Sequence, residues 1–184
     1  MSHALIVVDY QNDFAAPDGA LSVPEGDTIA ERINELARSD EYELVVATRD
    51  WHPADHVSFA PNHGGRQPFQ TIELDYGTQV LWPTHCVQGT AGAEFHRDLD
   101  VSRANLVVRK GFRRGIDSYS ALFENDHKTP TGLGGYLRER ELKTVFVTGL
   151  ALDFCVRFSA EDARKAGFEV AVIEDACRGI DLDG

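Results

Sequence analysis

Five short runs of β-branched and other apolar residues constrain the fold more than any other feature of this 184-residue chain. They occupy residues 4–8, 44–48, 105–109, 144–148 and 169–173. The first, Ala4-Leu5-Ile6-Val7-Val8, has no polar position. A strand apolar on both faces belongs in the middle of a parallel sheet covered by helices on both sides. Helical patterns separate the runs. Asp27 is placed to cap a helix over 28–38, with Ile29, Ile33 and Leu36 on one face. A second helix is expected over 132–140. A third begins near Cys155 and ends at Ala166-Gly167. Alternation of this kind predicts an α/β fold, a three-layer α/β/α domain with an open, mainly parallel, Rossmann-like sheet and right-handed crossovers. Residues 1–184 read as a single domain. The fifth run ends at Glu174-Asp175-Ala176, and the chain closes on Asp181-Leu182-Asp183-Gly184 in what reads as a loop. An open sheet normally finishes with a further helix, so a shortened C-terminus is expected. Residues 51–104 show little periodicity. An irregular insert of that length is usually functional.

Ligands of open α/β sheets bind outside the carboxyl ends of the strands. Asp9, Asp50, Lys110 and Cys155 each stand at or just past such an end, on four different strands. Cys155 opens a helical pattern, where unpartnered N–H groups and the helix dipole favour a thiolate. Taken alone it is equally a buried, inert cysteine. Asp9 alone could be a loop or capping residue, and Lys110 a solvated charge. Together they supply a nucleophile, a proton carrier and a cation, which is the requirement of acyl transfer. Backbone N–H groups of Ala151 and Cys155 could form an oxyanion hole if the turn at Gly149 aims them inward.

Asp50-Trp51-His52 places a carboxylate and an imidazole on one side of extended chain. His85 follows in the same insert. One carboxylate and two imidazoles suit a divalent transition metal with open positions, although any single loop histidine is also a structural hydrogen-bonding residue. His56 is a candidate further ligand, but Pro53 bends the path between it and His52, and it is left out of the ligand set. His3, His63, His96 and His127 read as surface residues, and Cys86 as a small buried filler. Phe14, Trp51, Trp82 and Tyr119 follow strand ends and could wall a flat pocket.

A formal net charge of −12 argues against nucleic acid and anionic membrane as partners. No apolar run approaches membrane-spanning length, and Met1-Ser2-His3 leads straight into a strand. Three cysteines without a CxxC pair fit a reduced cytoplasm.

The segments Asp9-Tyr10-Gln11-Asn12-Asp13-Phe14, Arg49-Asp50-Trp51-His52-Pro53, Leu81-Trp82-Pro83-Thr84-His85-Cys86-Val87, Lys110-Gly111 and Gly149-Leu150-Ala151-Leu152-Asp153-Phe154-Cys155-Val156 occur in the order found in a known family. The chain resembles, over essentially its whole length, the nicotinamidases or pyrazinamidases of the isochorismatase-like cysteine hydrolases. The resemblance implies hydrolysis of nicotinamide to nicotinate and ammonia in NAD salvage, and of pyrazinamide to pyrazinoate. It makes Cys155 the nucleophile, Asp9 the base and then acid, and Lys110 their support. Asp50, His52 and His85 would bind one divalent metal: zinc, or else iron or manganese. Phe14 and Trp82 would stack the substrate ring near Tyr119. A cis peptide between Leu150 and Ala151 is implied as well. The expected partner is the small molecule, with a homo-oligomer allowed. Two competing readings are a metal-hydroxide hydrolase in which Cys155 is structural, and a superfamily member acting on another amide, a carbamoyl compound or an enol ether. A non-catalytic binding module is a third.

Overall fold

The computed structural model describes residues 2–182. In chain order the elements are β1 (His3–Val8), α1 (Asn12–Ala15), α2 (Ala30–Arg38), β2 (Leu44–Asp50), β3 (Thr71–Leu74), β4 (Gly77–Val80), β5 (Leu106–Lys110), α3 (Leu133–Glu139), β6 (Thr144–Leu150), α4 (Arg157–Lys165) and β7 (Glu169–Arg178). The main sheet has the order β5-β2-β1-β6-β7, with every neighbouring pair parallel. β3 and β4 form a separate antiparallel hairpin.

Successive residues of a strand face opposite sides, so each central strand feeds two cores. Leu5, Val7 and Val45 pack with Ile33 and Leu36 of α2 on one face. Ala4, Ile6, Val8, Val46, Val145 and Val147 pack with Leu133 and Leu137 of α3 and Ala163 of α4 on the other. Each fully buried Leu or Ile side chain contributes roughly 1.5–3 kcal/mol from apolar transfer. This is the expected three-layer arrangement. β1 lies between β2 and β6, so the residues just after β1, β2, β5 and β6 converge on one rim.

The differences from the sequence reading are local. Asp27 caps nothing: it lies inside a 3-10 turn, Gly26–Ile29, that begins from Glu25 in the left-handed region and leads into α2. β2 and β6 each run two residues past the runs read from the sequence, because backbone pairing continues there. Arg49 pairs with Arg109 and Asp50 with Lys110. β7 continues to Arg178 rather than ending near Glu174. Its register against β6 shifts between Val147 and Gly149, and pairing resumes with Gly149 opposite Cys177. The insert is irregular apart from short 3-10 turns and the β3–β4 hairpin, which turns tightly through Asp75-Tyr76. Met1, Asp183 and Gly184 lie outside the described residues, and with them parts of the expected N-terminal lead-in and closing loop.

Candidate active site

Asp9 follows β1 with φ of 47°, a left-handed turn that ends the strand. Its N–H donates to Thr48 O at 3.2 Å, and Thr48 Oγ1 donates to Asp9 Oδ1 at 2.7 Å. Asp50 and Lys110 are register partners on β2 and β5, which places their side chains on the same face at the same height. Gln11 locks Asp50 from the other side. Its amide accepts from Asp50 N–H at 2.8 Å and donates to Asp50 O at 2.8 Å, as a neighbouring strand would.

Lys110 is the centre of the cluster, with a side chain 0% exposed. Its Nζ donates to Asp50 Oδ1 at 2.7 Å, to Ser118 O at 2.7 Å and to Cys155 Sγ at 3.6 Å. These three bonds use its three protons. Asp9 Oδ2 lies 2.8 Å from the same nitrogen yet has no hydrogen bond of its own. An oxygen of Asp9, an oxygen of Asp50 and the Cys155 sulfur lie within 4.8 Å of one another. Asp9 Oδ2 thus stands beside both the Lys110 ammonium and the Cys155 thiol.

Burial sets the charge states. It pushes the Asp9 carboxyl up to about 6, against the pull of Lys110. Burial also pushes the Cys155 thiol well above its usual range, although Lys110 opposes it. Lys110 is held charged because Asp50 and Asp9 outweigh the burial that would neutralise it. The expected start of a regular helix at Cys155 is corrected in its geometry. Cys155 sits in a π-helical turn, Leu152–Val156, ahead of α4. The N–H groups of Phe154 and Val156 there already donate to Ala151 O, each at 3.1 Å. Burial thus favours the thiol, while the neighbouring Lys110 favours the anion. The Leu150–Ala151 peptide is cis, as expected. Ala151 N–H donates to no acceptor among the described residues. Gly149 (φ 112°) passes so close to the Val8 carbonyl that a Cβ would collide with it.

A second group of donors shares Asp50. His52 Nδ1 is 2.7 Å from Gly111 O and His85 Nδ1 is 2.7 Å from Pro83 O. A carbonyl can only accept, so both Nδ1 atoms carry a proton, and the Nε2 atoms are left as the nitrogens that could ligate. They face Asp50 Oδ2 at 3.4 Å and 3.9 Å. Burial and the neighbouring His52 push His85 down to about 4, keeping it in the neutral, ligating form. One carboxylate and two imidazoles within 4.8 Å of one another fit a first-row divalent cation with open positions. Gly111 (φ 62°) is required here, since a Cβ would collide with the His52 ring. His56 stacks on His52 at 4.2 Å between centroids. Its nitrogens face Ser58 Oγ at 2.7 Å and Ile116 O at 3.1 Å, and it also groups with His52 and Asp117, donor atoms of all three lying within 4.8 Å of one another.

Both groups open onto one small cavity, of about 330 Å³ when the open solvent at its mouth is included. Phe14, Trp82, Tyr119, Ala151, His85 and Cys155 line it. Asp9, Lys110 and His52 stand behind that lining. Phe154, Ile180 and Asp117 also line the cavity and escaped the sequence reading. Phe154 carried a usable signal, being next to Cys155. Ile180 did not, because Asp153 brings it in by accepting from the N–H groups of Ile180 and Asp181 at 3.0 and 2.8 Å. Trp51 is not a wall of the cavity: its ring lies between the guanidinium groups of Arg49 and Arg109, at 4.4 and 4.3 Å. His96 is buried against Tyr10 rather than on the surface. His127 is exposed, and His3 and His63 are half-buried. Cys86 is the expected buried filler. No helix among the described residues is long and apolar enough to cross a membrane.

A model of the isochorismatase domain family matches residues 3–184. The chain is 56% identical over 181 residues to a nicotinamidase of Acinetobacter baylyi, covering 98% of this chain and 83% of that protein. Among solved structures it is similar to the nicotinamidase–pyrazinamidase of Acinetobacter baumanii, with a TM-score of 0.96, 60% identity, and coverage of 100% of this chain and 87% of the other. It is also similar to the pyrazinamidase of Pyrococcus horikoshii in complex with zinc, with a TM-score of 0.78, 40% identity, and coverage of 100% and 89%.

Proposed function

The chain belongs to the isochorismatase family, and from that premise we propose that it is a nicotinamidase, a metal-containing cysteine amidohydrolase that converts nicotinamide to nicotinate and ammonia in NAD salvage and also accepts pyrazinamide. It works as a single domain in the cytoplasm. The observation that carries the reading is the position of Lys110, buried between Asp9, Asp50 and Cys155 directly behind an aromatic cavity.

Phe14 and Trp82 hold the flat ring of the substrate, with Tyr119 beside them. Asp50, His52 and His85 would hold a divalent cation, zinc in this reading, whose chemistry is to take the pyridine nitrogen as a ligand and so fix the ring in the cavity. Asp9 takes the thiol proton of Cys155 as the sulfur bonds to the carboxamide carbon. The ammonium of Lys110, 3.6 Å from the sulfur, stabilises the anion as it forms. Charge developing on the carboxamide oxygen is received by the N–H groups of Ala151 and Cys155. Asp9 then passes its proton to the departing nitrogen, the carbon–nitrogen bond breaks, and ammonia leaves a thioester on Cys155. Water attacks the thioester with Asp9 again accepting a proton, which returns to the sulfur as nicotinate is released. The raised pKa of Asp9 suits both directions of transfer near neutral pH.

Ammonia release from nicotinamide is the test, with Cys155→Ala beside the parent. The variant is expected to lose turnover by at least about a thousandfold and to keep its metal content. A variant that releases ammonia at the parental rate would overturn the assignment and support attack by a metal-held hydroxide.

A further inference from the structure

The β3–β4 hairpin has no place in the chemistry so far, yet it delivers one fully buried polar side chain to the rim of the cavity. Gln79 of β4 is 0% exposed. Its Nε2 lies 2.8 Å from Val80 O, 2.9 Å from Asp117 Oδ2 and 3.0 Å from Tyr119 Oη, three acceptors that share its two protons. Its Oε1 accepts from Tyr76 Oη at 3.0 Å and Asn125 Nδ2 at 3.3 Å. The carboxylate of Asp117 and the carbonyl of Val80 can only accept, so the NH2 end of the amide must face them. Asp117 and Tyr119 both line the cavity.

The consequence lies on Tyr119. Its oxygen also accepts from Trp82 Nε1 at 3.2 Å. An indole nitrogen and an amide nitrogen are donors only. Neither neighbour can take the phenolic proton, and no other group among the described residues accepts it. Burial, followed by the charge of Asp117, pushes the Tyr119 hydroxyl well above its usual range, so the proton stays on the oxygen. Two nitrogens that cannot accept thus flank the hydroxyl, and its O–H is turned away from both.

We infer that Gln79 is a positioning residue which, together with Trp82, turns the hydroxyl proton of Tyr119 into the cavity as a hydrogen-bond donor to an acceptor atom of the bound heteroaromatic carboxamide or carboxylate. This rests on the reading of the cavity as the nicotinamide site. It adds a part played by the hairpin, which no residue of the catalytic cluster touches, and it makes the Gln79–Tyr119 pair a determinant of ligand affinity rather than of bond breaking.

A double-mutant cycle on the metal-loaded protein tests it. KM and kcat for nicotinamide and Kd for nicotinate are measured for the parent, Tyr119→Phe, Gln79→Met and the double variant. Tyr119→Phe keeps the ring and removes the proton. It is expected to weaken KM and Kd about tenfold, the loss of one hydrogen bond, with kcat within about threefold of the parent. Gln79→Met, close in shape, is expected to weaken both by a similar factor. In the double variant the loss is no greater than in Tyr119→Phe alone, because Gln79 acts through that hydroxyl. Losses that multiply across the two sites, a Tyr119→Phe variant that binds like the parent, or a fall in kcat with binding unchanged would each overturn the inference. If Gln79→Met does not fold, Gln79→Asn, which retracts the amide by one methylene, takes its place in the cycle. A parent that releases no ammonia from nicotinamide but binds nicotinate overturns the proposed reaction and leaves this inference to be judged on Kd. A parent that does neither overturns both.

Discussion

Removing the cation from the cluster should move the proton equilibrium of Asp9, and the size of the shift can be worked from the geometry. Lys110→Met keeps an unbranched side chain of similar length and deletes the charge 2.8 Å from Asp9 Oδ2. At an effective dielectric constant of about 20, two unit charges at that distance interact by about 6 kcal/mol, some four pKa units as an upper limit. Relaxation of the pocket reduces this, and a rise of at least about one unit is expected. Asp50 loses the same partner, but it would stay ionised as a ligand of the metal in the loaded protein. Asp9, already the weaker acid at about 6, is therefore the group that takes a proton. A carboxyl raised by burial is most stable protonated: that stability is present below its unfolded value near 3.8 and is lost as pH rises through about 6. For a general base the sign in the rate is the reverse, and kcat/KM falls on the acid side of the Asp9 pKa. The assay is initial-rate ammonia release from nicotinamide between about pH 4.5 and 8.5, at fixed metal and ionic strength. The parent should lose activity about tenfold per unit below about pH 6. In Lys110→Met the acid limb should appear at about pH 7 or above, on a lowered plateau. If the variant is too slow for the assay, the pH dependence of Cys155 alkylation reports the same shift. A parental limb near pH 4, or a limb that does not move in the variant, would refute the account of Asp9 as a buried base held down by Lys110. The variant should also be destabilised by roughly 3–5 kcal/mol, the usual cost of leaving a buried charge unpaired.

Three further outcomes follow from other parts of the site. Gly111→Ala forces a Cβ toward the His52 ring from a backbone at φ 62°; it should weaken metal affinity about 10–100-fold, read by competition with a chromogenic chelator. Thr48→Val removes the hydroxyl that donates to Asp9 Oδ1 at 2.7 Å, so the acid limb of kcat/KM should rise by roughly half to one pH unit, and an unchanged limb would show that this bond does not tune the base. Chelation should abolish turnover, and zinc added back should restore it. In the chelated protein Cys155 should still react with an alkylating agent, which separates loss of ring positioning from loss of the nucleophile.

Much of the fold was legible because its signal is carried by single residues. The apolar run at 4–8 has no polar side on which to face water, which forces it to the middle of a covered sheet, and there it is. The rule that ligands sit beyond the carboxyl ends of strands then brought Asp9, Asp50, Lys110 and Cys155 to one rim before any coordinates. Other features depend on partners far along the chain and leave no local trace. Gln79 looks like a surface residue in a polar stretch, and it is buried only because Asp117, Tyr119 and Asn125 come back to meet it. Trp51 reads as an aromatic wall, but two arginines from adjacent strands take its faces. Ile180 enters the cavity only through the carboxylate of Asp153.

The sequence by itself determined which groups are present, their order along the strands and the rim where they meet, because strand periodicity and crossover handedness follow from backbone geometry that every chain shares. Only the tertiary structure decided the protonation of Cys155 and Asp9, the face each histidine nitrogen presents and the direction of the Tyr119 hydroxyl. Those depend on how completely water is excluded and on which oxygen stands within 3 Å, and both are set by residues tens of positions away.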